Sequence, residues 1–267
     1  MIRTIVCGAG GKMGKRICAL IENDEELELI GAIEAKHSKY IGNDIGAVCG
    51  IGEKNIEVTY KLDDVIDDGE VMIDFSTPAS TLLNVRAAAE NKKAMVIGTT
   101  GFSPEELEEI KKLSVRIPIV LAPNMSLGVN ILFKLVEDVA KILKDDYDIE
   151  IVEMHHRFKK DAPSGTALKL AEHAAAGIGQ SLDEVAVYGR QGNIGERSRT
   201  EIGIMSLRGG DVVGDHTVVF AGLGERIELT HKATSRDTFA LGALKAAKWV
   251  IDKVPGFYNM QDVLNLK

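Results

Sequence analysis

From Glu153 to Ala167 the sequence reads EMHHRFKKDAPSGTA, which sets His155, His156, Arg157, Lys159 and Lys160 just ahead of Ser164, Gly165 and Thr166. Ser-Gly-Thr before an alanine-rich stretch opens a helix. Unbonded N–H groups at a helix start, with the positive end of its dipole, favour an anion. Imidazole and ammonium groups beside that anion can also supply protons. The block is therefore expected to hold a small carboxylate or phosphate at the Ser164-Gly165-Thr166 turn, next to proton donors. Residues 149–154 have strand character, so His155 and His156 should stand at a strand end and point to opposite sides, one toward a ligand and one bracing the loop. A metal is not expected: adjacent strand residues diverge, no further well-spaced His/Cys set exists, and Lys159 would repel a cation. A merely solvated basic loop is the plain alternative.

A second motif lies at the other end of the chain. An apolar strand signal, residues 2–7, runs into Gly8-Ala9-Gly10-Gly11-Lys12-Met13-Gly14 and then a helical pattern through Ile17, Leu20 and Ile21. Strand, glycine turn and helix form the context of a dinucleotide fingerprint. Met13 stands where G-x-G-x-x-G has its last glycine, and the better template is G-x-x-G-x-x-G through Gly8, Gly11 and Gly14. The next strand signal ends on Glu34, twenty residues beyond Gly14, where a carboxylate can accept from the adenosine ribose hydroxyls. The expected cofactor is NADH or NADPH.

The elements that must position these residues alternate through the first half. Candidate strands at 56–58, 71–75, 95–97 and 117–121, with helical patterns at 78–91 and 104–113, predict a parallel sheet with helices on both faces. Its strand-end loops, Ser76-Thr77-Pro78, Gly98-Thr99-Thr100-Gly101-Phe102 and Ala122-Pro123-Asn124-Met125, should line the cofactor. After Ser126 the rhythm changes. A helix from about Gly128 to Leu143 leads to the histidine strand, an exposed loop at 188–200, and strand signals at 201–207, 211–221 and 226–234. Short glycine turns between these predict an antiparallel meander in an open mixed sheet, with a second subunit as the simplest cover for its bare face. Residues 239–254 read as a last helix returning to the first domain. The expected fold class is α/β: a Rossmann-like dinucleotide-binding domain, 1–126, an α+β substrate and oligomerisation domain with an open mixed sheet, 127–235, and a C-terminal segment, 236–267.

Composition narrows the function classes. The chain of 267 residues carries 32 basic and 40 acidic residues, a net charge of −8, which gives no reason to expect a nucleic-acid or anionic-membrane partner. Cys7, Cys18 and Cys49 are odd in number and lack C-x-x-C spacing, as expected of reduced thiols in a cytoplasmic protein. No apolar run approaches the roughly 20 residues of a membrane span, and no secretory signal is expected.

With these residues in view, the chain resembles the dihydrodipicolinate reductase family of the diaminopimelate and lysine pathway, over essentially its whole length. The resemblance rests on Val6-x-Gly8-x-x-Gly11-x-Met13-Gly14, Asp74-Phe75-Ser76, Gly98 to Phe102, Ala122 to Ser126 with Gly128-Val129-Asn130, and above all His155-His156 through Thr166. Arg208-Gly209-Gly210, Gly214-Asp215-His216 and the run from Gly224 through His231 to Arg236 also fit. It implies reduction of a cyclic dicarboxylate derived from 4-hydroxy-tetrahydrodipicolinate by NAD(P)H in a homotetramer. His155 would then be the proton donor/acceptor, Lys159 a proton donor, and His156, Gly165 and Thr166 substrate ligands. Phe75 would join the cofactor loops. Members that favour NADPH often carry an arginine right after the acidic ribose residue, and Ala35 stands there, with Lys36 and His37 next. Use of both cofactors, NADH at least as well, is the expectation. A different two-domain dehydrogenase would share the first half but has no call for His-His-x-x-Lys before Ser-Gly-Thr. A dinucleotide sensor would need no proton donors.

Overall fold

The computed structural model describes residues 1–266, Asp145 through its backbone alone. In chain order the elements are β1 (Ile2–Cys7), α1 (Lys12–Ile21), β2 (Leu27–Ile33), α2 (Ile45–Cys49), β3 (Val58–Thr59), β4 (Val71–Asp74), α3 (Pro78–Glu90), β5 (Ala94–Ile97), α4 (Pro104–Leu113), β6 (Pro118–Leu121) and α5 (Leu127–Leu143). They continue with β7 (Asp148–His155), α6 (Gly165–Gly177), α7 (Leu182–Val185), β8 (Ala186–Val187), β9 (Ile202–Arg208), β10 (Gly214–Ala221), β11 (Arg226–Ala233), α8 (Asp237–Val250), β12 (Gly256–Tyr258) and α9 (Met260–Val263). Two compact units result, Met1–Leu127 with Asp237–Lys267, and Gly128–Arg236.

The first unit is a seven-stranded sheet in the order β12-β6-β5-β4-β1-β2-β3, parallel throughout. Its inner strands are apolar at nearly every position because both faces are covered. Val6, Ile73, Val96 and Val120 face a core completed by α1, α8 and α9, while Ile5, Met72, Met95 and Ile119 face one completed by α3 and α4. The helices start where the sequence supplies caps: Thr77 accepts from Ser80 N–H ahead of Pro78, and Ser103 forms a capping box with Glu106. Sheet building runs outward both ways from β1, so the order reverses between β1 and β4, and a crevice at the carboxyl ends of those strands is where such sheets take ligands. Phe75, expected inside a strand, lies just beyond β4. The helix expected over 239–254 is α8, which ends at Val250, and the chain then adds β12 to the sheet edge beside β6.

The second unit holds a five-stranded sheet, β11-β10-β7-β9-β8. This corrects the expected meander: β10 pairs antiparallel with β11 and with β7, but β9 lies on the other side of β7 and runs parallel to it. The Arg208-Gly209-Gly210 turn therefore carries the chain past β7 instead of folding β9 onto β10. Alternation along β7 buries Ile149, Ile151, Glu153 and His155 on one face, where α5 and α6 supply the rest of the core. On the other face Val152, Met154 and Val219 are only half-buried.

Candidate active site

In the first unit the glycine turn is shaped by close backbone approach. Gly8 sits at φ 76°, and a Cβ on Gly14 would come within 2.1 Å of Gly8 carbonyl oxygen. Only glycines let β1 turn directly into α1 here. Gly8 and Ala9 N–H donate to Ile33 carbonyl, and Gly11 N–H to Gly8 carbonyl, fixing the loop. Gly10 N–H donates to Glu34 Oε1 at 2.8 Å, and Ala35 N–H to Oε2 at 3.1 Å. Glu34 thus braces the loop while keeping acceptor capacity on both oxygens. Lys12 is exposed at the start of α1, and Met13 packs on the core.

A cleft of about 520 Å³ opens beside this turn, lined by Gly8, Gly11, Glu34, Tyr60, Phe75 and Asn84 among others. It lies at the reversal point between β1 and β4, and its size, glycine floor and single carboxylate fit a dinucleotide's adenosine portion. Lys36 also lines it, its Nζ 5.7 Å from the centre of the Tyr60 ring. Of the residues expected at the cofactor, the cleft gathers Gly8, Gly11, Glu34, Phe75, Ser76 and Thr77. Gly98, Thr99, Thr100, Ala122, Pro123, Asn124 and Met125 stand on the neighbouring strand-end loops. Gly98 lies against the Phe75 ring, and Thr100 and Pro123 are exposed. Ala122 and Met125 are buried, and Asn124 Oδ1 accepts from Ser126 N–H.

Thr99 is turned inward. Its hydroxyl joins Ser76 and Thr81 around the fully buried Asp74 carboxylate, whose Oδ2 accepts from Asn84 Nδ2 at 2.7 Å. Asp74 ties the ends of β4 and β5 to α3, and so sets the cleft wall. Tyr60 and Asn84 were not expected at the site. Tyr60, following the short β3, carried the only local signal: an aromatic ring at a strand's carboxyl end.

In the second unit the centre is a carboxylate, Glu153, with its side chain fully buried. Arg208 grips it with both terminal nitrogens, Nη1 to Oε2 at 2.9 Å and Nη2 to Oε1 at 2.8 Å. Ser164 N–H donates to Oε1 at 3.1 Å, and His155 Nδ1 lies 2.5 Å from Oε2. Burial alone would raise this carboxyl, but the bonds from Arg208 and His155 outweigh it and bring it down to about 2. The His216 ring meets the His155 ring edge-on at 5.1 Å, and its Nε2 is 3.0 Å from Ser164 Oγ. Burial, then the neighbouring His155, pushes His216 down to about 4, so it is neutral at pH 7.

Ser164 caps α6, its Oγ accepting from Ala167 N–H at 3.1 Å. With its N–H on Glu153 and only 2% exposure, it builds the helix start from within. Gly165 is the exposed first residue of α6, with open space around it, and Thr166 follows half-buried. Lys159 Nζ bonds both oxygens of Asp161, at 2.9 and 2.8 Å, and this holds the Asp161 carboxyl below its usual range. His156 lies past the end of β7; its N–H donates to Val212 carbonyl, and its buried Nδ1 has no hydrogen-bond partner among the described residues. The structure therefore separates the two histidines, His155 against Glu153 and His156 in the loop. Among the described residues no group of three or more His, Cys, Asp or Glu is placed to hold a metal ion.

Comparison with known proteins agrees with both halves. Residues 2–125 match the model for the N-terminus of dihydrodipicolinate reductase, and residues 128–264 the model for its C-terminus. A 4-hydroxy-tetrahydrodipicolinate reductase from Syntrophus aciditrophicus (strain SB) is 52% identical over the full length of both chains. One from Desulfotalea psychrophila is 54% identical, covering 100% of this chain and 99% of that one. Among solved structures, the dipicolinate-bound dihydrodipicolinate reductase from Paenisporosarcina sp. TG-14 superposes with a TM-score of 0.76 over 98% of each chain, at 25% identity. An amine dehydrogenase from Mycobacterium smegmatis, at 13% identity and a TM-score of 0.61, shares the fold alone. With family models matched over residues 2–125 and 128–264 and full-length relatives at about half identity, this chain belongs to the dihydrodipicolinate reductase family.

Proposed function

We propose that this protein reduces the cyclic imine dicarboxylate formed from 4-hydroxy-tetrahydrodipicolinate to tetrahydrodipicolinate, with NADH serving at least as well as NADPH. The observation that carries the reading is the second-unit cluster: His155 backed by Glu153, beside a helix start opened by exposed Gly165. A planar ring bearing two carboxylates needs N–H and ammonium donors for its charges, and a proton source at the carbon next to the one reduced. Gly165 and Thr166 at the α6 start hold one carboxylate, His156 and Lys159 lie along the same loop, and His155 moves the proton. A nicotinamide dinucleotide, its pyrophosphate and adenosine ribose held in the first unit at Gly8 to Gly14 and Glu34, would supply the hydride. Negative charge that builds on the ring is met by the Lys159 ammonium and the helix dipole.

The cofactor preference rests on Glu34, whose carboxylate suits two ribose hydroxyls and repels a 2′-phosphate. Ala35 offers no guanidinium, and Lys36 is drawn toward the Tyr60 ring. Assembly through the half-buried face of the second sheet, as a homotetramer in the cytoplasm, completes the reading.

The deciding experiment mixes the condensation product of pyruvate and aspartate semialdehyde with NADH and follows absorbance. Substrate-dependent loss of NADH is expected, with competitive inhibition by pyridine-2,6-dicarboxylate and much weaker inhibition by a pyridine monocarboxylate. No substrate-dependent oxidation would overturn the activity, and equal inhibition by the two compounds would overturn the two-carboxylate anchoring.

A further inference from the structure

Glu153 touches no ligand-facing space, yet the second-unit site is built around it. We propose, resting on the reading of His155 as the proton-transferring group, that Glu153 is a positioning residue that fixes the proton of neutral His155 on Nδ1 and leaves Nε2 as the working atom, with Arg208 locking the carboxylate in place.

The argument is one of donors and acceptors. Both oxygens of Glu153 already accept from Arg208, which has no acceptor to offer, and Oε1 also accepts from Ser164 N–H. A carboxyl gripped in this way carries no proton of its own. The 2.5 Å contact with His155 Nδ1 is then an N–H donating to a carboxylate oxygen, which decides the tautomer. In the neutral ring the lone pair falls to Nε2, which takes up a proton from solvent and delivers it to the reduced ring, the imidazolium formed in between being stabilised by the Glu153 carboxylate. That nitrogen lies beside Gly214, where even a Cβ would come within 3.0 Å, so glycine at the start of β10 keeps the Nε2 side open. His216, the nearest other ring, bonds Ser164 Oγ through its own Nε2 and approaches His155 edge-on. The groups facing the pair include Arg208 and Ser206 from β9, Ser164 from the α6 start, and His216 from β10, and none of their bonds uses Nε2 of His155.

The alternative is that Glu153 and Arg208 form a buried strut with no bearing on the proton. Nitrogen-15 NMR of the His155 ring in its neutral form separates the two. Nδ1–H with an unprotonated Nε2 is expected in the wild-type protein; the opposite tautomer overturns the proposal without any variant. In Glu153→Gln the amide can donate to Nδ1, so the tautomer should invert, with kcat lower by roughly 10²-fold or more and NADH affinity within about threefold. Glu153→Asp should recover at least about tenfold of that loss. A Glu153→Gln enzyme within about threefold of wild-type kcat overturns the proposal, as does a large loss with Nδ1–H retained, which would mark a strut. His155→Ala tells the two readings apart: if it stays active, the assignment of His155 itself falls, whereas an inactive His155→Ala beside an active Glu153→Gln sinks only the role of Glu153.

Discussion

The roles proposed for His155 and Lys159 fall to side chains in opposite kinds of surroundings. His155 is 9% exposed and held by a buried carboxylate, whereas Lys159 is paired with Asp161, whose side chain is 64% exposed. A half-solvated pair of that kind contributes little and is readily exchanged for a substrate carboxylate. His155→Ala and Lys159→Ala should each lower kcat roughly 10²-fold or more while leaving NADH binding nearly unchanged, and His156→Ala should chiefly raise KM. Steady-state kinetics with NADH fluorescence titration checks this; near wild-type kcat in both of the first two variants would refute the roles given to His155 and Lys159.

On the proposed reading, single side chains also decide the choice of cofactor. Flexible Lys36 and Lys12 offset the repulsion between Glu34 and a 2′-phosphate by about 1 kcal/mol at most, and less at high salt. The ratio of kcat/KM for NADH over NADPH should therefore be one or greater, should rise with ionic strength, and should fall in Ala35→Arg. A tenfold wild-type preference for NADPH would show that a lysine grips the phosphate directly.

The same cluster sets a stability profile. His216, buried among Ser164, His155, Glu153, His231 and Lys159, has its pKa lowered from 6.5 to about 4, so the unfolded chain takes up a proton that the folded one refuses. Stability should fall by roughly 3 kcal/mol as pH drops from 6.5 to 4. Glu153, lowered from 4.5 to about 2, contributes stability that is complete above pH 4.5 and is lost on the way down to 2. Urea midpoints across pH should show both losses, with the upper one flattened in His216→Gln and the lower one kept. Identical profiles for the two proteins would rule out His216 as a source. Glu153 itself was hard to read from sequence because a glutamate in a strand ordinarily faces water. The signal was present in the spacing: two residues before His155, and in step with Ile149 and Ile151, it falls on the buried face. Its partner Arg208 is far away in sequence and carried no such mark.

At the scale of elements, local patterns were legible and long-range pairing was not. Strand, glycine turn and helix at Gly8 to Gly14, and the βα alternation after it, follow from periodicity and caps that a few residues decide. The order of the second sheet does not. Glycine turns on either side of β10 suggested neighbouring hairpins, yet the partner of β10 on one edge is β7, far upstream in the chain. Cross-strand burial chooses that pairing, and no local signal encodes it. The glycine turn offers a sharp test at this scale. In Gly14→Ala the new methyl meets Gly8 carbonyl oxygen and the Ala9 backbone, neither of which can move aside as a side chain would. NADH affinity should fall at least about tenfold, with a loss of stability of about 1–3 kcal/mol. Unchanged NADH titration would mean that the turn relaxes without cost and does not form the cofactor floor.

At the scale of the whole molecule, the first unit is discontinuous: the segment Gly128–Arg236 interrupts it, and Asp237–Lys267 returns to complete it. Ala240, Ala243, Ala247 and Val250 of α8 cover the face that Val6, Ile73 and Val96 present. A ribosome making this chain therefore finishes the second unit while the first still lacks one wall. The nascent dinucleotide-binding half must wait for α8, its apolar face bare through the synthesis of more than a hundred residues. Translation itself imposes an order: the strand that carries His155 is made before α8 can close the first unit. A chain ending at Arg236 should show a protease-resistant second unit and a first unit that is cleaved and fails to bind NADH, with resistance of the first unit appearing once the chain extends past Val250. Limited proteolysis of such chain lengths tests the order, and a first unit already resistant at Arg236 would show that α8 is dispensable for its closure.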